Sequence, residues 1–459
     1  MKRYEEDEIA SELSPEAVQN QVERILSSEK FARSKRLRSL LQFTVQQTLQ
    51  GHADMLKEYV IGTEVLKKPE TYDPRRDSLV RVLASRLRVK LKEYYNNGGS
   101  DDPLVIEFPK GKYVPRFQRR EQLQTEIEKK LRARNACSFG RFLIAKLSEA
   151  CIAEAAQHFE EAIEADPTWP SAREGLAGVY ALQGFLGLRR PREVWPMVRT
   201  QAEATLQLDE MSAEAHIALG MSSAFFEWRW HDADAYFHKA IDRDSYSGAG
   251  HLWRALACLI PAGKMNEAQE ELNQARELAS ACFLQQAQLL AWFLAGRFGD
   301  VVEQTGKDFS GGIAPGWMPW LRASSLAAIG RQDEAVQILE RLYQGEPGRA
   351  RVASTLACVY GLRGQQDRGQ AILADLRTRR ERGEWIGSYE MAVAETGLGH
   401  HHEALASLAD AIRDREPWTV YLSRDSRFGS LREAPKFTAL SRKVLNAEEE
   451  MAGGGAAPQ

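Results

Sequence analysis

Between residues 77 and 95 lies a run of side chains whose types and spacing suit one chemistry, the recognition of a polyanionic groove. At 100° per residue, Val80, Leu83, Ala84, Leu87, Leu91, Tyr94 and Tyr95 fall on one face of a helix, an apolar stripe wide enough to pack on a core. The opposite face carries Val82, Ser85 and Val89 down its middle, with Arg81, Arg88 and Lys92 on one flank and Arg86 and Lys90 on the other. Small and apolar groups of this kind approach base edges and thymine methyls, while long cationic side chains on both flanks reach two phosphate strands. A solvated helix with a basic face would show the same pattern. Asp77 or Ser78 can cap the first turn, and Asn96-Asn97-Gly98-Gly99 ends the helix with residues that tolerate left-handed backbone.

No catalytic constellation competes with this face. The chain has no G-x-x-x-x-G-K-[ST], no G-x-S-x-G and no H-E-x-x-H, so no catalytic residue is assigned and an enzyme is not expected. His400-His401-His402 before Glu403 resembles a ligand set but stands at a turn without a second cluster, so neither a metal nor a cofactor is expected. The stretch from Phe226 through Glu227, Trp228, Arg229, Trp230 and His231 to Asp232 reads as core and turn. Cys137, Cys151, Cys258, Cys282 and Cys358 lie far apart without C-x-x-C spacing, which points to reduced, buried thiols.

The residues after the helix position further cations. Leu104-Val105-Ile106-Glu107-Phe108 and Tyr113-Val114-Pro115-Arg116-Phe117 are strand-like runs joined by Pro109-Lys110-Gly111-Lys112, a hairpin in which Gly111 supplies positive φ. Pro115 confines the second run to a sheet edge. Lys110, Lys112 and Arg116 then sit at the tip and edge. Together, the helix motif Val80-Arg81-Val82-Leu83-Ala84-Ser85-Arg86-Leu87-Arg88-Val89-Lys90-Leu91 and the Lys110-Gly111-Lys112-Tyr113 turn resemble the OmpR-type winged-helix DNA-binding domain. The resemblance implies contact with double-stranded DNA through Arg81, Val82, Ser85, Arg86, Arg88, Val89, Lys90 and Lys92 of the helix and Lys110, Lys112 and Arg116 of the wing. Two departures stand out: Lys112 sits where the family has its second glycine, and helical patterns over residues 15–66 replace its leading sheet.

Charge agrees with that reading. Residues 30–116 hold 18 Lys and Arg against 10 Asp and Glu, whereas the 459-residue chain as a whole carries −3, so the cationic excess is local. With 43% apolar and 27% charged residues, the chain supports several domains. No run of about 18 uncharged apolar residues exists, the nearest being residues 281–296, so no membrane association is expected. The acidic opening, MKRYEEDEIASEL, lacks the apolar stretch of a signal peptide, and the expected location is cytoplasmic.

In chain order, residues 1–15 are expected to be disordered, and a domain spans 16–118. Its helices are predicted over 15–31, 34–50 and 55–66, and a basic connection over 67–76 leads into the 77–95 helix. Residues 118–136 are almost wholly polar, a solvated helix or a linker. From Cys137 onward the chain repeats. Ala155-x3-Phe159-x2-Ala162-x4-Pro167 resembles the second helix of a tetratricopeptide unit, and Leu176-Ala177-x2-Tyr180 and Leu219-Gly220 resemble pieces of the first. The positions Ala155, Val198, Ala233, Ala268, Val301, Ala335, Gly369 and Ala404 are separated by 43, 35, 35, 33, 34, 34 and 35 residues, with an insertion over 186–195. Gly263, Gly296, Gly330, Gly364 and Gly399 fall in the turns. Val301 and Gly369 depart from the usual alanine, and looser packing is expected there. The array is predicted over 137–446, closed by a helix over 423–446, with a flexible tail at 447–459.

The expected fold is therefore mainly α: a winged helix-turn-helix domain followed by an α-solenoid. Its first helices carry Tyr180, Trp253, Trp292, Trp320 and Tyr360; some of these are expected in the core, and several exposed together would line a concave groove for a protein or peptide partner. Tetratricopeptide arrays of this style resemble those fused to nucleotide cyclase domains in bacteria, but no cyclase-sized segment remains. Two functions follow. The preferred one is a transcriptional regulator of HilA-like architecture, with oligomers possible on DNA; the other is a non-enzymatic scaffold whose winged helix binds protein.

Overall fold

The computed structural model describes residues 13–146, 148–244, 248–278, 281–308, 317–345 and 349–447. Most of the expected disordered start and of the flexible tail lies outside them. The chain divides into two compact units, Met1–Leu131 and Arg132–Gln459. It is mainly helical, and no helix of the described residues is long and apolar enough to cross a membrane.

The first unit opens with the helix Pro15–Ser27, started by Pro15 in its first turn and by the Ser14 hydroxyl, which accepts from the Ala17 amide. The helix expected to run on to residue 31 ends at Ser28, whose extended backbone separates it from the turn Glu29–Ala32. Lys35–Leu49 follows as predicted, and the 55–66 helix shortens to Glu58–Glu64. Leu79–Tyr95 is continuous, capped by Asp77, whose carboxylate accepts the Leu79 amide at 2.9 Å. Val18, Val22, Ile25, Leu40, Leu41, Ile61, Val80, Leu87 and Ile106 meet in one core. A buried polar joint ties its ends together. Asp102 accepts from Gln21 Nε2 and from the Tyr94 hydroxyl, both at 2.6 Å, so the first helix, the Leu79–Tyr95 helix and the approach to the sheet share one carboxylate.

Two antiparallel strands complete this unit, Leu104–Glu107 paired with Arg116–Arg119 in the register Leu104 to Arg119 and Glu107 to Arg116. The ladder is shorter than the predicted hairpin, with its second strand displaced toward the C-terminus. Pro115 has no N–H to donate, and Phe108 turns inward to become buried, so pairing resumes only at Arg116. The expected tight turn is present at the tip, where Gly111 has φ +80° and the Lys112 amide donates to Pro109 O.

Of the polar stretch from residue 118, Gln118 and Arg119 end the second strand and the rest is helical. Arg120–Ile144 is one 25-residue helix, solvated in its first half and burying Ala133, Ala136, Cys137, Gly140 and Leu143 in its second. Antiparallel pairs then follow to Arg413. All eight of the periodic positions from Ala155 to Ala404 lie on second helices and are buried. Each marks where a first helix crosses closely. The five predicted turn glycines have φ between +73° and +84°. Looser packing at Gly369 is not what the structure shows, because a Cβ there would meet Leu398 Cδ2 at 2.6 Å and Ala357 O at 3.0 Å. Nearby, the helices Ala350–Leu362 and Ser388–Gly397 touch backbone to backbone: a Cβ on Gly397 would stand 2.3 Å from Cys358 Cα. Among the cysteines, Cys137, Cys258 and Cys358 are buried free thiols.

The predicted closing helix is instead two structures. Pro435–Leu445 is helical, but Pro417–Tyr421 and Ser426–Leu431 are 3₁₀ turns of a strap buried along the inner side of the array. Trp418 Nε1 donates to Phe185 O at 3.0 Å, and the Tyr421 hydroxyl donates to Leu256 O at 2.8 Å. Trp418 also packs on Trp320 and Tyr389, and Tyr421 on Phe225. The strap therefore bridges first helices that are remote in sequence. At its centre Arg427 binds Asp425 at 2.6 Å and donates to Thr355 Oγ1 at 3.1 Å, while the Tyr389 hydroxyl donates to Asp425 at 2.8 Å. Burial would raise the Asp425 carboxyl, but the Arg427 charge and its hydrogen bonds hold it below the usual carboxylate range. We predict that Arg427→Met, which strands the Asp425 charge in the core, costs about 3–5 kcal/mol in denaturant unfolding, whereas replacing both partners with apolar residues costs much less.

Glu416, at the entrance to the strap, accepts from the amides of Ser388 at 2.6 Å and Tyr389 at 3.0 Å. Burial outweighs those bonds and pushes its carboxyl up to about 7, from an ordinary value of 4.5. A folded state that holds this proton more tightly is stabilised fully below the unfolded pKa and loses that contribution as pH rises through about 7. Glu416→Gln should flatten the stability profile between about pH 5 and 7.5, measured by urea unfolding at each pH.

Candidate functional site

The Leu79–Tyr95 helix buries Val80, Leu83, Ala84, Leu87, Leu91 and Tyr94, and Tyr95 is half-buried with its hydroxyl accepting the Ile106 amide at 2.8 Å. Its outer face remains uncovered within this unit. Val82 is 42% and Val89 56% exposed. Ser85, Arg86 and Lys92 are exposed beside them. Arg86, Lys92, Lys110 and Lys112 have no carboxylate partner among the described residues, and Arg116 is exposed at the start of the second strand.

Three predicted contact residues are committed elsewhere. Arg81 donates to Pro74 O at 2.9 Å and lies 3.7 Å from the Glu58 carboxylate, so it fastens the preceding loop. Lys90 pairs with Glu93 at 3.3 Å. Arg88 is the largest correction. Its guanidinium donates to Phe108 O at 2.9 Å and to Pro109 O and Lys112 O at 3.0 Å each, so it points into the hairpin loop. All three carbonyls lie outside the strand ladder, Pro109 O also accepting from the Lys112 amide, and Arg88 gathers them into one joint beside the helix. From below, the Tyr113 hydroxyl donates to Glu58 at 2.6 Å and fixes the other side of the loop. We predict that Arg88→Met leaves the helix intact by circular dichroism but speeds amide exchange around residues 108–112 by roughly tenfold or more.

In the second unit, the five aromatic residues assigned to a concave groove serve mostly as anchors. Tyr180, Trp253, Trp320 and Tyr360 are at most 5% exposed. The Tyr180 hydroxyl donates to Glu160, the Tyr360 hydroxyl to Glu340, and Trp320 Nε1 to Thr355. Trp292 is half-buried, with its Nε1 donating to Gln269 at 3.3 Å. These rings do not together form an aromatic-lined groove, because the strap and the neighbouring helices take up their faces. Of the five, Trp253 lines an open groove.

That groove of about 400 Å³ crosses the first helices of successive pairs, over Ile144, Gly178, Leu182, Ile217, Met221 and Trp253. Glycine and alanine let its apolar floor lie close to the backbone, and Glu174 and Glu214 stand at its edge with Arg141. Burial, and secondarily Glu214, raise the Glu174 carboxyl above its ordinary range, although Ser212 donates to it. The groove was not read from the sequence, where Gly175, Gly178 and Ala218 look like ordinary close-packing residues.

No family model and no curated protein matches the chain. Among solved structures it is similar to the human IFIT1 dimer with m7Gppp-AAAA, at 15% identity over 96% of this chain and 94% of that one, with a TM-score of 0.36. A monomeric IFIT1 mutant with Gppp-AAAA gives the same identity and score. The TPR domain of P58(IPK) is matched at 13% identity over 71% of this chain and 99% of that one, with a TM-score of 0.17. The paired helices, the period near 34 and the buried small residues at each crossing decide the class of the second unit. It is a tetratricopeptide-like helical array.

Proposed function

We propose that the chain is a non-enzymatic interaction protein whose helical array takes a protein or peptide partner and whose first unit binds duplex DNA as a transcriptional regulator. The array's part rests on its apolar groove. A peptide with an apolar face and a basic residue fits it, because Ile217, Met221 and Trp253 supply the floor while Glu174 and Glu214 outnumber Arg141 at the edge. The observation that carries the DNA-binding part is the uncovered face of the Leu79–Tyr95 helix, with Arg86, Lys92, Lys110 and Lys112 unpaired beside exposed Val82, Ser85 and Val89.

A second reading has its own support. The exposed Val82 and Val89, and the diversion of Arg88 into the hairpin, also suit docking of an apolar protein surface, which would make the whole chain a scaffold. Salt dependence separates the two. With four unpaired cations at the face, full-length protein on random duplex DNA should show a log–log salt slope of roughly −3 to −4. Arg86→Ala should relax base preference, costing about 1–3 kcal/mol at particular positions, and Lys110→Ala should weaken all sequences alike. Absent or salt-insensitive binding would leave the scaffold reading as the one to pursue.

A further inference from the structure

A cleft of about 630 Å³ opens in the second unit between the turn at residues 226–229 and the corner at residues 412–415, closed on one side by Arg192 and Lys443. Five cations line it, Arg192, Arg229, Arg413, Arg415 and Lys443, against a single carboxylate, Glu227. That carboxylate is already held by Arg199 at 2.5 Å. Arg192 and Arg413 share Asp414 at 3.8 and 4.0 Å, Arg413 also meets Asp410 at 2.8 Å, and Arg229 lies 3.4 Å from Asp232 and 3.5 Å from Glu227. Arg415 and Lys443 have no carboxylate partner among the described residues.

Two hydrogen-bond donors in this cleft are buried without an acceptor. Trp228 is 2% exposed and its Nε1 has no partner; Arg415 lies across the Trp228 ring at 3.7 Å, and its Nη1 is likewise buried and unpaired. Buried donors left unmade cost about 1–3 kcal/mol each, more when charged, so two adjacent ones call for an explanation. Both lack the same thing, an acceptor. Both residues hold left-handed backbone just past a helix end, Trp228 at φ +59° and Arg415 at φ +57°. Burial, and then the Arg192 charge, disfavour the Arg415 cation, so an anion here would relieve repulsion as well as fill the vacancies in hydrogen bonding.

We propose that this cleft binds a phosphate monoester, whose oxygens accept from Trp228 Nε1 and Arg415 Nη1 while Arg192 and Lys443 balance its charge. Two cations without a carboxylate partner, Arg415 and Lys443, match the two charges of a dianion, of which a carboxylate would answer only one. The volume exceeds that of a bare phosphate, and Phe226 and Ile412 offer an apolar wall for the organic part.

Calorimetric titration of the full chain with phenyl phosphate and inorganic phosphate, against acetate and chloride at matched ionic strength, tests the site. Both phosphates should bind saturably at one per chain, phenyl phosphate more tightly. Arg415→Gln should weaken binding by roughly tenfold, and Trp228→Phe and Lys443→Gln each by about threefold. Lys443 is exposed, so that variant keeps the test valid should a change at the buried stack impair folding. Arg368→Gln, which removes a cation stacked on Tyr360 elsewhere in the array, should change nothing. Non-saturable heats, acetate binding as tightly as phosphate, or equal affinity in the folded variants among Arg415→Gln, Trp228→Phe and Lys443→Gln would each overturn the proposal.

Discussion

The second unit depends on the burial of one short strap. Helical hairpins stacked side by side cover each other's flanks but leave the inner ends of their first helices facing one another across the array. Trp418, Tyr421 and Phe428 fill that space, and the Arg427–Asp425 pair anchors the strap to Tyr389 and Thr355. An ion pair this deep adds little net free energy compared with apolar residues of the same shape, and its value lies in direction. It fixes which way the chain turns between the two 3₁₀ segments and hence where both aromatic rings enter. The strap takes up much of the inner side, and the apolar groove over the early pairs and the cationic cleft at the corner of residues 412–415 are among the surfaces left open to other molecules.

In the first unit, one cation does for the hairpin what the strap does for the array. Arg88 satisfies three loop carbonyls and so converts a proline-interrupted, four-residue ladder into a rigid projection beside the helix. Its charge is thereby withdrawn from the outer face. The remaining cations there are fewer than a count of basic residues suggests, and better positioned, because the loop that bears Lys110 and Lys112 is tethered from both sides by Arg88 and Tyr113.

Amphipathic spacing was enough to place the Leu79–Tyr95 helix and its inward face, because a 3.6-residue period depends only on neighbours in the chain, while the choice of Asp77 over Ser78 as cap came from the structure. The array was legible for a related reason. Each crossing of paired helices demands a small residue at the same point, so the constraint recurs at a period near 34 and the buried positions from Ala155 to Ala404 follow it. Positive-φ glycines in the turns were equally readable, since few other residues adopt that backbone without cost.

What the sequence could not determine is where a side chain spends its bonds. Arg86 and Arg88 are two residues apart on one helix and chemically identical, yet one is unpaired and the other is bound to carbonyls some twenty residues onward. The strap has no period, because 3₁₀ turns buried on all sides need neither alternation nor a stripe, so Trp418 and Arg427 gave no signal of their place. Trp228 and Arg415 meet only because the array brings its early and late pairs together, whereas Tyr180 and Tyr360 are buried against neighbouring helices, where they bond Glu160 and Glu340. Local spacing thus determined the helices, the repeat and the polarity of each face; contacts between residues distant in the chain decided which polar groups are satisfied, and therefore which remain for a ligand.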